Sequence, residues 1–170
     1  MHDFRVATGV IHLPVTERLF LWAIRAWSAH HSDVTSIWWS LDRAFAQEGM
    51  HSALPPFHQL MSALFVGLKR WPDIRCVRCP HLGSDEARLL SVLAYLQQDN
   101  EVGARRALRD WVLRSAAREM CEHAAQCAAI AAAAGFRFTG CEDQVHRVGA
   151  PGCAALSEAA AADQRVYWEI

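Results

Sequence analysis

Lysine is nearly missing from this chain. Lys69 is the only one among 17 Lys+Arg residues, and the rest are arginine. A chain-wide bias of that kind carries no local information, although arginine's planar fork suits bidentate anion contacts better than an ammonium group does. An excess of positive charge is missing too, because 18 Asp+Glu leave a formal net charge of −1. That argues against the broad basic footprint of nucleic-acid binding, and neither nucleic acid nor an anionic membrane is expected as a partner. No stretch approaches the roughly 20 uncharged apolar residues of a membrane span. The start of the chain has no secretory pattern: Met1 to Arg5 includes His, Asp and Arg, and the next apolar stretch is broken by His12, Pro14, Glu17 and Arg18. A cytoplasmic location is the expectation, and thiols stay reduced there. The six cysteines are then no disulfide framework, since free cysteine also serves as a small buried apolar residue. The P-loop, G-x-S-x-G, G-x-G-x-x-G and H-E-x-x-H patterns are absent, which removes the direct reasons to expect an enzyme.

What is present has helical period. With 170 residues, 52% hydrophobic and 21% charged, the chain suits one globular domain able to bury a full core. A first helix is expected from Pro14 to about His30. Leu19, Phe20, Leu21, Trp22, Ile24 and Trp27 cover most of its circumference and leave Arg18 and Arg25 as a polar strip. Such a helix is either central or shared with another subunit. A second helix, capped by Ser32 or Asp33, ends at Gly49 and carries Val34, Ile37, Trp38, Leu41 and Phe45 at helical spacing. A third starts at Pro55-Pro56 with the stripe Phe57, Leu60, Met61, Leu64, Phe65, Leu68 and is ended by Pro72. After a loop to Gly83, Ser84 caps a fourth helix whose Asp85 and Glu86 favour its positive end. Asn100 caps a fifth, and a sixth runs from about Ser115 to Ala134 and stops at Gly135. Residues 136–170 are less regular. A short strand at 136–139, a loop over 140–152, helical turns at 157–162 and extended ends at 4–11 and 165–170 are expected there. The fold class is therefore all-α, one domain over residues 1–170: an irregular bundle of about six helices with its core in 13–135 and short terminal strands.

Four groups of residues bear on chemistry. Cys76-Val77-Arg78-Cys79 in the loop can aim two thiolates at one tetrahedral metal, and zinc would need two further ligands. His123 and Cys127, one turn apart on the sixth helix, are the best distal pair, with Glu119 one turn back, and Cys141 with His146 is a second option. The bland reading is loop thiols plus a packed Cys127, and no cofactor is the expectation. The same C-x-x-C also reads as a redox dithiol flanked by Arg75 and Arg78. Arg105, Arg106, Arg109, Arg114 and Arg118 form an arginine group. Expected pairs Asp110–Arg114 and Arg118–Glu122 would make it a solvated face. Arg105 and Arg109, with no acid following at helical spacing, are the better anion anchors. Seven tryptophans complete the set. Trp22, Trp38 and Trp111 fall on apolar stripes and read as core, while Trp27 and Trp39 fall off the main stripes and read as contact residues.

These features favour a non-enzymatic helical protein that works by contact, as a self-associating or regulatory module. A zinc or thiol-redox protein built on Cys76 and Cys79 is the alternative. A small-ligand sensor with a tryptophan-lined pocket is a third reading.

Overall fold

The computed structural model describes residues 13–140. They form an all-α bundle of α1 (Val15–Ala29), α2 (Trp38–Gln47), α3 (Leu54–Gly67), α4 (Ser84–Gln97), α5 (Glu101–Leu108) and α6 (Arg114–Ala133). Single-turn 3-10 helices at Val34–Ile37 and His51–Ala53 lead into α2 and α3. No strand occurs among the described residues, although an isolated antiparallel bridge joins Leu68 to Val112.

Helix α1 packs on α2, α3 and α4. Phe20, Leu21, Ile24 and Trp27 are all buried, while Leu19 and Trp22 are half-buried and Val15 is exposed. The Phe20 ring meets Phe45 and Phe57 edge-on at 5.3 and 6.1 Å between centroids, which joins α1, α2 and α3 in one aromatic core. The expected polar strip is half wrong. Arg18 is exposed, but Arg25 is buried, because it pairs with Glu86 of α4.

The helix ends differ from the sequence expectation in instructive ways. Asp33 opens a 3-10 turn rather than α2. Thr35 donates its hydroxyl to the Asp33 carboxylate and Ser36 Oγ donates to the Asp33 carbonyl at 2.8 Å. Such local bonds compete with α-geometry, so α2 starts only at Trp38. Helix α3 stops at Gly67, well before Pro72. Gly67 lies against α6, where a Cβ would come 2.1 Å from Ala116 Cβ. The chain then turns extended at Leu68, and Lys69 N–H donates to Trp111 O at 2.9 Å. Asn100 caps α5 as expected, its side chain accepting from Gly103 N–H at 2.9 Å. Helix α6 ends as expected at Gly135, which has φ +85°.

The expected strand at 136–139 is not formed. Instead Phe138 inserts its ring against Phe20 at 5.1 Å, and its N–H donates to Gln97 Oε1 at 2.9 Å. Gln97 also donates to the Ala128 and Phe136 carbonyls, tying α4 to the end of α6. Glu17, buried near the start of α1, accepts from Thr139 N–H and Oγ1 and from Gly140 N–H at 2.6–3.1 Å. The features expected at 4–11, 157–162 and 165–170, and most of the loop at 140–152, lie outside the described residues.

Candidate functional site

The cysteine loop is held from below by two buried carboxylates. Asp85 and Glu86 stand in the first turn of α4, and neither is exposed. Glu86 takes Arg25 on both oxygens, Nε at 2.7 Å and Nη2 at 2.8 Å. It also accepts from Arg75 N–H and Gly83 N–H at 2.8 and 2.6 Å. The remaining Arg25 donors reach the carbonyls of Cys79 and His81 at 2.7 and 2.8 Å. Asp85 accepts both arms of Arg70 at 2.7 Å and the Asp73 N–H at 2.7 Å. Its hydrogen bonds raise the Arg70 pKa above the ordinary arginine value. Two charge-assisted networks therefore fix the whole 70–83 loop onto α1 and α4. Local sequence rules assign Asp85 and Glu86 to the helix dipole alone and miss this use. The available signal is an arginine in the apolar middle of a helix, between Ile24 and Ala26, plus two adjacent acids just after a loop bearing Arg70, Arg75 and Arg78.

Within that loop Cys79 N–H donates to Cys76 O at 3.0 Å, so the motif is a tight turn with Cys76 exposed and Cys79 buried. The distal ligand pair is not brought to it. Cys127 is fully buried and points its thiol at Ala53 O, 3.9 Å away. Burial pushes its pKa up to about 12, opposite to what a metal-ready thiolate needs. Burial also pushes the Cys121 thiol up. His123 is half-buried beside Glu119, Nε2 to Oε1 at 4.0 Å. Among the described residues no three His, Cys, Asp or Glu side chains form a group able to hold a metal ion. The quartet Cys76, Cys79, His123 and Cys127 is thus not assembled. Cys141 and His146 lie outside the described residues.

The most developed surface feature is a run of rings across α1, α2 and α3. Trp38 meets His58 edge-on at 5.5 Å, and His58 meets Trp27 at 5.9 Å. Trp27 packs on Phe65 at 5.2 Å, Phe65 stacks with His31 at 5.1 Å, and His31 meets Trp71 at 6.4 Å. Trp27 is only 3% exposed and donates its indole N–H to His58 Nδ1 at 3.1 Å. It is the buried spine of the run rather than a contact residue. The outer members are open: Trp38 is 37% exposed, Trp71 61% and Trp39, beside Trp38, 82%. The stripe Ile37, Leu41, Phe45 faces the core. A helix turns about 100° per residue, so Trp38 and Trp39 swing progressively out of that face. Trp38, expected in the core, sits at the surface edge instead. Trp22 is half-buried, and Trp111 is fully buried as expected.

The anchors Arg105 and Arg109 lie away from the cysteine loop's carboxylates, with Arg105 in the last turn of α5 and Arg109 just past it. Arg105 is engaged by Glu101, one turn before it, at 2.9 Å, a partner the forward spacing rule overlooks. The Arg118–Glu122 pair forms at 3.4 Å, whereas no Asp110–Arg114 ion pair occurs among the described residues. Hollows between α5 and α6 are lined by these arginines and contain no tryptophan. No helix among the described residues is long and apolar enough to cross a membrane. Comparison with protein-family models, curated proteins and solved structures found no match to this chain.

Proposed function

We propose that this chain is an interaction protein that pairs with a second copy of itself through the aromatic run of α1–α3. The observation that carries the reading is the exposure of Trp38 and Trp71 at the margins of one continuous ring cluster, with the exposed Trp39 next to Trp38 in the chain. Burying a large apolar side chain yields about 1.5–3 kcal/mol, and tryptophan is the residue most enriched where contacts carry binding energy. The ring contacts of the cluster are made by Trp, Phe and His side chains, with no carboxylate or guanidinium among them. A net charge of −1 adds little repulsion between copies. A two-fold interface requires a patch that complements itself, and rings that pack edge-on and stacked within the chain can do the same across a symmetry axis.

Light scattering over a wide concentration range tests this. The parent chain is expected to show a concentration-dependent dimer. The double variant Trp39→Ser with Trp71→Ser is expected to stay monomeric with unchanged helical circular dichroism. A parent that is monomeric throughout, or a dimer that survives the double change, defeats the reading.

A further inference from the structure

The turn from α5 into α6 gathers six cations around one cleft. A hollow of about 460 Å³ is lined by Lys69, Arg105, Arg106, Arg109, Arg114 and Arg118 over apolar Val102 and Val112, and no carboxylate lines it. An adjoining hollow of about 850 Å³ shares Arg105, Arg114 and Arg118 and adds Glu119 and Glu122. Both hollows are open at the surface, and every lining cation is exposed.

Acidic neighbours account for only part of this charge. Glu101 engages Arg105 and Glu122 engages Arg118. Lys69 Nζ donates to the Arg109 carbonyl at 2.8 Å, which anchors the lysine and leaves its charge in the cleft. The guanidinium groups of Arg106, Arg109 and Arg114 make neither ion pair nor hydrogen bond among the described residues. Helix dipoles explain some of the placement. Arg105 and Arg106 stand in the last turn of α5, where cations are favoured. Arg114 is the opposite case. It is the first residue of the 20-residue α6, whose opening turn has no acidic residue and no side-chain cap. A cation there faces the positive end of the helix and costs stability unless an anion joins it.

We propose that this cleft binds an oligophosphate, a chain of linked phosphates carrying about as many negative charges as the cleft has uncompensated cations. Arginine forks match phosphate oxygens two at a time, which suits three guanidinium groups converging on one chain. No aromatic ring lines the smaller hollow, and His123 is the one ring on the larger. The site therefore lacks a platform on which to stack a base, and the phosphate chain itself is what it reads. The proposal does not depend on self-association, because none of the rings of the aromatic run lines the cleft.

Calorimetric titration of the full chain at low, fixed salt tests it, with tripolyphosphate, a nucleoside triphosphate, orthophosphate and a single-stranded DNA oligomer as probes. Tripolyphosphate is expected to bind one per chain and to raise the melting midpoint. Equal binding by the nucleoside triphosphate identifies the bare chain as the ligand. Tighter binding by the nucleotide would require contacts beyond the phosphates and would overturn the reading of the bare chain. Arg106→Gln and Arg109→Gln are each expected to weaken binding about tenfold. The control Arg43→Gln, which removes an equal charge from α2, should change it less than about twofold. Arg114→Gln is expected to raise the unliganded midpoint by about 1–3 °C while removing most of the ligand's stabilisation. Three other results would overturn the proposal: no tripolyphosphate binding, orthophosphate binding as tightly, or loss in the Arg43 control equal to that in the cleft variants. DNA binding that tripolyphosphate cannot displace would overturn it too.

Discussion

Arg25 and Glu86, 61 positions apart, meet as a two-pronged ion pair with side chains 2% and 0% exposed. Between them they also satisfy two loop carbonyls and two loop N–H groups. Arg25→Ala and Glu86→Ala each leave a buried charge without its counter-ion and take one partner from two backbone groups. Each is expected to cost about 3–5 kcal/mol. The double variant should cost clearly less than the sum, since both act in one network. Urea unfolding of the four proteins checks this. Strict additivity, or single costs under about 1 kcal/mol, would show that the pair does not hold the loop.

The contact between Gly67 and Ala116 makes a second expectation. A Cβ on Gly67 would stand 2.1 Å from Ala116 Cβ and 3.3 Å from Val112 Cγ1, so the helices must shift apart to admit it. Gly67→Ala is expected to cost at least about 1–3 kcal/mol through overpacking, although alanine is the better helix former. Adding Ala116→Gly should restore part of the loss despite its own helix penalty of about 1 kcal/mol. A thermal melt in which Gly67→Ala is as stable as the parent would mean that α3 and α6 separate readily there.

Cys127 sets a pH dependence. Its thiol is pushed by burial from an ordinary 9.0 to about 12, so the fold favours the neutral form. The unfolded chain releases this proton near pH 9. The stability tied to the thiol is therefore fully present below pH 9 and is lost as pH rises from about 9 to 12, by about 4 kcal/mol at most. Cys121 shifts in the same direction. Cys127→Ala should be slightly less stable than the parent at neutral pH, through lost packing, yet lose less on going alkaline. Parallel curves for parent and variant would rule out the thiol as the cause. In the folded protein Cys76, which is exposed, should label with a thiol reagent while Cys127 labels only at the rate of unfolding.

Helix order and the core face of each helix were legible because they follow from local period: Phe20, Leu41, Phe57, Leu64 and Leu90 all sit where their spacing puts them, fully buried. What local rules could not see was pairing at long range. Arg25 looks like a polar strip until Glu86 is placed under it. His123 and Cys127 look like a ligand pair until Cys127 is seen against Ala53. The expected Asp110–Arg114 pair failed for a definite reason: α5 ends at Leu108 and α6 starts at Arg114, so no helix spans the two residues. Their separation of four positions then has no geometric meaning. Glu101 and Arg105 lie within one helix, and there the rule works.

The Glu17 contact with Thr139 and Gly140 clasps the start of α1 to the chain that follows α6. Helix α1 carries the chain about 20 Å away from that clasp before it reaches Trp27 and His31. One rod thus holds a buried carboxylate latch at its first turn and the aromatic run at its last, so the rings stand where the latch cannot cover them.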